Sequence, residues 1–221
     1  MPQYAALICK SARMKLKINM KKILVAFLIA IFSSQAMAQE VSKAKEVDEF
    51  VEIIGNKIVK VAGEKATSDA KKREKIIAII DGVIDANWIA RFVLGKNYKT
   101  ANDEQRQRFT ALYRDFMINT YGPKFKNYDG KKFTVNEVKQ QGSFYVAKAE
   151  FLPRESNVPI SVDFRVKEKN GKLLILDFIA EGISLIETQR SEFNSAIAQN
   201  GMDKFLDDLA ERVKKLKSSG K

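Results

Sequence analysis

The 221-residue chain contains no histidine. That absence excludes a Ser-His-Asp triad, a Cys-His pair, imidazole zinc ligation and any side chain that titrates near neutrality by default. Cysteine is nearly as scarce, since the one thiol is Cys9 near the N-terminus. With 4 Pro and 11 Gly the chain is neither collagen-like nor of low complexity. No uninterrupted apolar run approaches the roughly 18 residues needed to span a bilayer. The remainder, 45% apolar and 30% charged, describes a globular protein of one or two domains.

Ile23 to Phe32 is an apolar run preceded by Lys21 and Lys22 and followed by Ser33, Ser34 and Ala36-Met37-Ala38. A basic flank, a short apolar segment and a small-residue pattern predict a secretory signal peptide over residues 1–38, cleaved before Gln39. Met14 and Met20 would each give it a more ordinary length. Its removal takes away Lys10, Arg13, Lys15, Lys17, Lys21 and Lys22 and no acid, which halves the net charge of +12. Cys9 leaves with it, so the expected product, residues 39–221, has no disulfide, no thiol nucleophile and no cysteine to be lipidated. That product is expected to form a single domain.

After Val47 the apolar residues Phe50, Val51, Ile54, Ile58 and Val61 follow helical spacing up to Gly63. Thr67-Ser68-Asp69 then offer capping oxygens to a second helix carrying Ile76, Ile77, Ile80, Val83 and Ile84. A short helical segment with Trp88, Ile89, Phe92 and Val93 stops at Gly95. Asn102 and Gln105 resemble a capping box, and Phe109, Leu112, Tyr113, Phe116 and Met117 run on to Gly122-Pro123. This makes residues 41–122 a helical half.

At Lys131 the period falls to 2. Phe133 to Val138, Ser143 to Leu152, Ile160 to Lys167 and Leu173 to Ala180 read as about four antiparallel strands within 131–180, with Asn170-Gly171 as a tight hairpin turn. In the third, Ile160, Val162, Phe164 and Val166 alternate with polar residues; the fourth is apolar on both faces except at Asp177. Ser184 and Glu187 open a C-terminal helix, and Phe205, Leu206, Leu209, Val213 and Leu216 mark another, together spanning 184–217. The expected class is α+β: a twisted antiparallel sheet with helices packed on one face. Most of the 14 Phe lie beyond the signal, enough for a thick core or for a cavity that holds an apolar ligand.

Asp81 and Asp85, one helical turn apart, are the best carboxylate pair, a spacing that usually means two solvated charges. Asp177, on its apolar strand, reads as a hydrogen-bonded structural acid or as a residue at a cavity mouth. There is no Gly-rich phosphate loop, no metal-ligand spacing, and no interleaving of basic and aromatic residues of the kind that grips nucleic acid.

Asp177-Phe178-Ile179-Ala180-Glu181-Gly182-Ile183-Ser184-Leu185-Ile186-Glu187-Thr188-Gln189-Arg190-Ser191-Glu192-Phe193 resembles the strand-to-helix signature of MlaC-type phospholipid-binding proteins, the toluene-tolerance family. Ala90-Arg91-Phe92-Val93-Leu94-Gly95 through Tyr98, then Gln105-Arg106, Phe109 and Thr120-Tyr121-Gly122, is similar to that family's helical half in order and spacing. The likeness runs from about Val47 to Leu216.

The resemblance implies a cone-like fold of the nuclear-transport-factor type with added helices, and a soluble periplasmic carrier of glycerophospholipid. It further implies shuttling between an outer-membrane lipoprotein–porin complex and an inner-membrane ABC transporter complex with an MCE-domain protein, in service of outer-membrane lipid asymmetry. No cofactor is implied, the phospholipid being cargo, and neither catalysis nor nucleic-acid binding. On that implication the expected lipid contacts are Val162, Phe164 and Val166 on one strand, Leu174, Leu176 and Phe178 as one face of the next, and Phe92, Phe116 and Tyr121 from the helical half. For each of them ordinary core packing is the competing role. A small-molecule-binding enzyme on a cone fold and a ligand-free envelope scaffold remain the alternatives.

Overall fold

The structure, a computed structural model, describes residues 20–121 and 130–219. The chain divides into the units Met1–Lys43 and Ala44–Lys221. The first is described only as helical backbone from Met20 onward, so the side chains expected to form the export signal lie outside the described residues, as does the stop at Gly122-Pro123. The second unit holds the sheet and every helix after the first.

Helix α1, Met20–Ala62, buries Val47, Val51 and Ile54 along one stripe and closes where the Gly63 N–H donates to the Val59 carbonyl at 3.0 Å. Ser68 caps α2, Asp69–Asp81, as the local sequence predicts. Val83 and Ile84 do not continue that helix. The chain leaves it at Gly82; the Ile175 N–H donates to the Val83 carbonyl at 2.7 Å, and Ile84 bridges Ile175 in parallel. An edge strand with unpaired backbone groups outbids one more helical turn for these two residues.

Asp85 caps α3, Ala86–Leu94, accepting from the Trp88 N–H at 3.1 Å, and Lys169 meets its other oxygen at 2.5 Å. Burial pushes the Asp85 carboxyl up, but the Lys169 ammonium and the Trp88 N–H more than offset this and hold its pKa below the ordinary value. Asp81 pairs instead with Arg114, so the two acids serve different partners. Asp85→Ala is expected to lower the unfolding free energy by about 1 kcal/mol in urea titrations at neutral pH. A depressed pKa stabilises above the unfolded-state value, so the difference between variant and wild type should shrink as pH falls through the carboxylate range.

The short α4, Asn97–Thr100, precedes α5, Asp103–Tyr121. At the start of α5 the expected capping box is reciprocal: the Asn102 N–H donates to Gln105 Oε1 at 3.1 Å and the Gln105 N–H to Asn102 Oδ1 at 2.8 Å.

Strands β1 Gly130–Gln141, β2 Phe144–Pro153, β3 Ile160–Lys169, β4 Lys172–Ala180 and β5 Ile183–Ser184 form one antiparallel sheet in chain order. Asn170 and Gly171, with φ of 53° and 74°, make the tight β3–β4 turn. The two-residue β5 is the addition to the four strands expected from the sequence. Ser184 then caps α6, Leu185–Asn200, which leads to α7, Met202–Ser219.

Two apolar layers result. In one, α3, α5, α6 and α7 enclose Phe109, Tyr113, Phe116, Phe193, Phe205 and Leu206. In the other, the α1 stripe covers Phe133, Ala147, Ala149, Phe151, Phe164, Val166 and Ile175 on one face of the sheet. A Cβ at Gly55 would sit 2.2 Å from Cδ1 of the Phe133 ring, so only glycine lets α1 approach β1 this closely.

Candidate functional site

Strand register lines up the apolar face of the sheet in rows. Phe133, Phe151 and Ile160 make one; Val135, Ala149, Val162, Ala180 and Ile183 the next; Val138, Ala147, Phe164 and Phe178 a third; Gln140, Tyr145, Val166 and Ile175 the last. Burial along these rows is mixed. Phe133, Phe151, Val166 and Ile175 are buried, whereas Ile160 is 39% and Ile183 66% exposed at the sheet margin. The small side chains Ala147 and Ala149 lie at its centre, flanked by the rings of Phe133, Phe164 and Phe178, which meet edge to face at 5.8 and 5.3 Å. This apolar layer, opened along its length, would form a trough for an elongated apolar ligand.

Four of the nine expected contacts, Val162, Phe164, Val166 and Phe178, come together in this layer. The register corrects the expectation that Leu174, Leu176 and Phe178 share one face. Arg165 pairs with Asp177 but Val166 with Ile175, so Leu176 is the extra residue of a β-bulge. Strict alternation breaks there. Leu174, opposite Lys167, falls on the other side from Ile175 and Phe178.

The three contacts expected from the helical half sit in the other layer or at its rim. Phe116 packs on Phe193 at 5.7 Å beneath the Arg212 guanidinium, and Phe92 is stacked between Trp88 and Arg190. The Tyr121 hydroxyl is 3.4 Å from Nε2 of the buried Gln189, which also bonds Met117 and Tyr113. Burial raises the phenol pKa of Tyr113, which donates to Gln189 Oε1, and of Tyr121, which accepts from Gln189 Nε2.

Sequence reasoning missed Phe133, Phe151 and the α1 stripe as parts of the sheet-face layer. The alternation of Tyr145, Ala147, Ala149 and Phe151 carries the signal in β2; in β1 a register shift between Val135 and Glu137 scrambles it.

The reverse face carries charged residues among apolar ones such as Val146 and Leu174. Glu137 pairs with Lys139 at 2.5 Å and Lys148 at 3.1 Å, while Arg165 lies over Phe144 and reaches Asp177 at 3.4 Å and Glu187 at 3.3 Å. Asp177 is the buried acid. It accepts from the Ser184 hydroxyl at 2.6 Å and the Ile186 N–H at 3.3 Å, tying β4 to the start of α6. Of the two roles open to it in the sequence, the hydrogen-bonded structural one fits these contacts.

Among the described residues no group of three or more Asp, Glu, Cys or His could hold a metal ion, and no helix is long and apolar enough to cross a membrane.

Comparison with known proteins bears on the fold and the family. The fold resembles that of a phospholipid-binding protein from Ralstonia solanacearum, solved in complex with a phospholipid, with a TM-score of 0.68 and 17% identity over 76% of this chain and 97% of that one. In sequence the chain is 24% identical over 144 residues to toluene tolerance protein ttg2D of Pseudomonas putida, covering 64% of this chain and 67% of the relative. It is 22% identical over 132 residues to the intermembrane phospholipid transport system binding protein MlaC of Haemophilus influenzae, covering 58% and 62%. The matched stretch thus spans only part of either relative. Residues 48–211 match the MlaC protein family, from the α1 stripe through both apolar layers to α7, and the chain belongs to that family.

Proposed function

We propose that this chain is a carrier of phospholipid whose acyl tails lie in the layer between α1 and the apolar face of the sheet. One observation carries the reading: an apolar layer between α1 and one face of the sheet, with Ile160 and Ile183 exposed at its margin, in a chain of the MlaC family. Transfer of two acyl chains with some 30 methylenes into water costs on the order of 20 kcal/mol, at about 0.8 kcal/mol each. A protein trough removes them from water much as a bilayer does. Exchange with a membrane machine then lies near balance, and small differences set by the partner decide direction.

The cycle makes and breaks no covalent bond. Its setting is the periplasm, reached through the signal at 1–38. The lipid headgroup stays at the exposed margin of the layer. The partners are an outer-membrane lipoprotein–porin complex and an inner-membrane ABC transporter complex with an MCE-domain protein, and the outcome is maintenance of outer-membrane lipid asymmetry.

Native mass spectrometry of protein purified from the envelope, with lipid extraction, tests this. Wild type should carry a phospholipid mass. Val162→Glu sets a carboxylate beside Ala149 and Ala180, between that margin and the centre, and should cut the loaded fraction about tenfold, whereas Leu174→Glu on the reverse face should retain it. A folded Val162→Glu protein that keeps its lipid would overturn the assignment.

A further inference from the structure

The helical layer pairs most of its surface bases. Arg106 meets Asp103 at 3.0 Å, Arg108 meets Asp207 at 2.6 Å, Arg212 meets Glu192 at 2.6 Å, Lys217 meets Asp115 at 2.6 Å, and Arg114 pairs with Asp81. The turn from α3 to α4, with Arg190 of α6 beside it, gathers several bases without an acid. Arg91, Lys96, Lys99 and Arg190 are all exposed there, and among the described residues no carboxylate lies within ion-pair reach of any of them.

Two of the four are held in place. The Arg190 guanidinium lies 4.7 Å over the Phe92 ring, which stacks on Trp88 at 5.2 Å. A Cβ at Gly95 would come within 3.2 Å of Arg190 Nη2, and at a φ of +57° glycine leaves that space to the arginine. Arg91 lies 5.4 Å from the Tyr98 ring, which also carries Arg106 at 4.8 Å. The turn itself is tied to α6 by Asn97 Nδ2 donating to Asn194 Oδ1 at 2.7 Å and Asn194 Nδ2 donating to the Val93 carbonyl at 2.9 Å.

A guanidinium held over an aromatic ring loses little rotamer freedom when an acceptor arrives. Four unneutralised cations at this turn also repel one another. Two guanidiniums fixed on aromatic rings and two exposed lysines, gathered at one place with no acid beside them, suit an acid that comes from outside.

We propose that this turn docks an acidic face of a partner protein, whose carboxylates meet Arg91, Lys96, Lys99 and Arg190. A membrane fits less well. Surfaces that bind bilayers present apolar side chains for insertion. The large exposed ones here are Val41, Ile53, Val158, Ile160 and Ile183, none of them in this turn, whose aromatic rings are half-buried under guanidiniums. The surface uses no residue of the sheet-face trough, so it stands independently of the lipid reading.

The test uses the full chain and a fluorescent peptide of alternating Asp and Glu, read by anisotropy at low salt and by amide NMR shifts. Saturable binding is expected, with shifts concentrated at residues 94–100 and 189–194. Lys96→Gln with Lys99→Gln, both exposed, should weaken it about tenfold. Arg190→Lys, which keeps the charge and loses the fork, should weaken it about threefold. Lys71→Gln with Lys72→Gln serves as the control and should change nothing. Equal weakening by the control pair, shifts spread over every basic surface, or no saturable binding would each overturn the proposal. So would binding of phosphatidylglycerol vesicles through these four residues with the peptide inert, which would assign the turn to a membrane.

Discussion

Phe164→Ala is expected to lower the unfolding free energy by about 3–5 kcal/mol, read from urea titrations of delipidated protein. The ring is buried at the centre of the apolar face, meets Phe133 and Phe178 edge to face, and pairs across strands with Ala147, which is too small to fill the gap left behind. The control is Leu174→Ala, a half-buried leucine opposite Lys167 on the reverse face, expected to cost only about 1–2 kcal/mol. Equal losses would mean that the faces of β4 are misassigned. Added phospholipid sharpens the contrast. A ligand at a hundred times its Kd raises stability by about 2.7 kcal/mol, and Phe164→Ala, by disturbing the trough, should recover less of that than wild type.

Local chemistry makes most elements readable. Ser68, Asn102 with Gln105, and Ser184 mark helix starts because their side-chain oxygens meet specific orphan N–H groups within three residues, and Asn170-Gly171 marks a turn because both φ angles are positive. Ile84 misleads for a physical reason: it continues the α2 periodicity, but the partner that claims it, Ile175, is distant in sequence. The short β5 escapes notice because two residues carry no period. Asp85 reads locally as one of two solvated acids; its role as a cap held by Lys169 depends on a hairpin far along the chain.

The apolar face of the sheet is legible only as far as alternation holds. Val162, Phe164 and Val166 alternate cleanly and do lie together. In β4 a single bulge at Leu176 moves every residue before it to the opposite face from the one that counting backward from Phe178 assigns. A bulge answers to neighbouring strands and leaves no mark in residue type. The cover of the trough is hidden in another way. Val47, Val51 and Ile54 announce an amphipathic helix, yet periodicity says only that the stripe is buried and not what lies beneath it; Gly55, flush against Phe133, gives the contact once the fold is known.

The second large effect is expected at Asp177, behind the trough. Its carboxylate is almost fully buried; burial raises its pKa, and the Ser184 hydroxyl, the Ile186 N–H and the Arg165 guanidinium pull it down only in part, while Glu187 adds a small push upward. The folded state therefore binds this proton more tightly than the unfolded chain does, and stability falls as pH rises from the ordinary value of 3.8 through the raised one. Asp177→Asn keeps one oxygen for the Ile186 N–H, turns an amide NH2 toward Ser184, whose hydroxyl can accept from it, and removes the titration. Wild type should lose stability relative to this variant across that window and run parallel to it above; parallel curves throughout would show that another group titrates. Asp177→Ala should be far worse, about 3 kcal/mol at neutral pH, because Arg165, largely buried and with its Nε already unpartnered among the described residues, would keep only Glu187. Arg165 stands on β3 between Phe164 and Val166, so losing its anchor loosens the strand that floors the trough. In the lipid-bound protein Asp177→Ala should thus lower lipid retention as well as stability, whereas Asp177→Asn should leave retention near wild type.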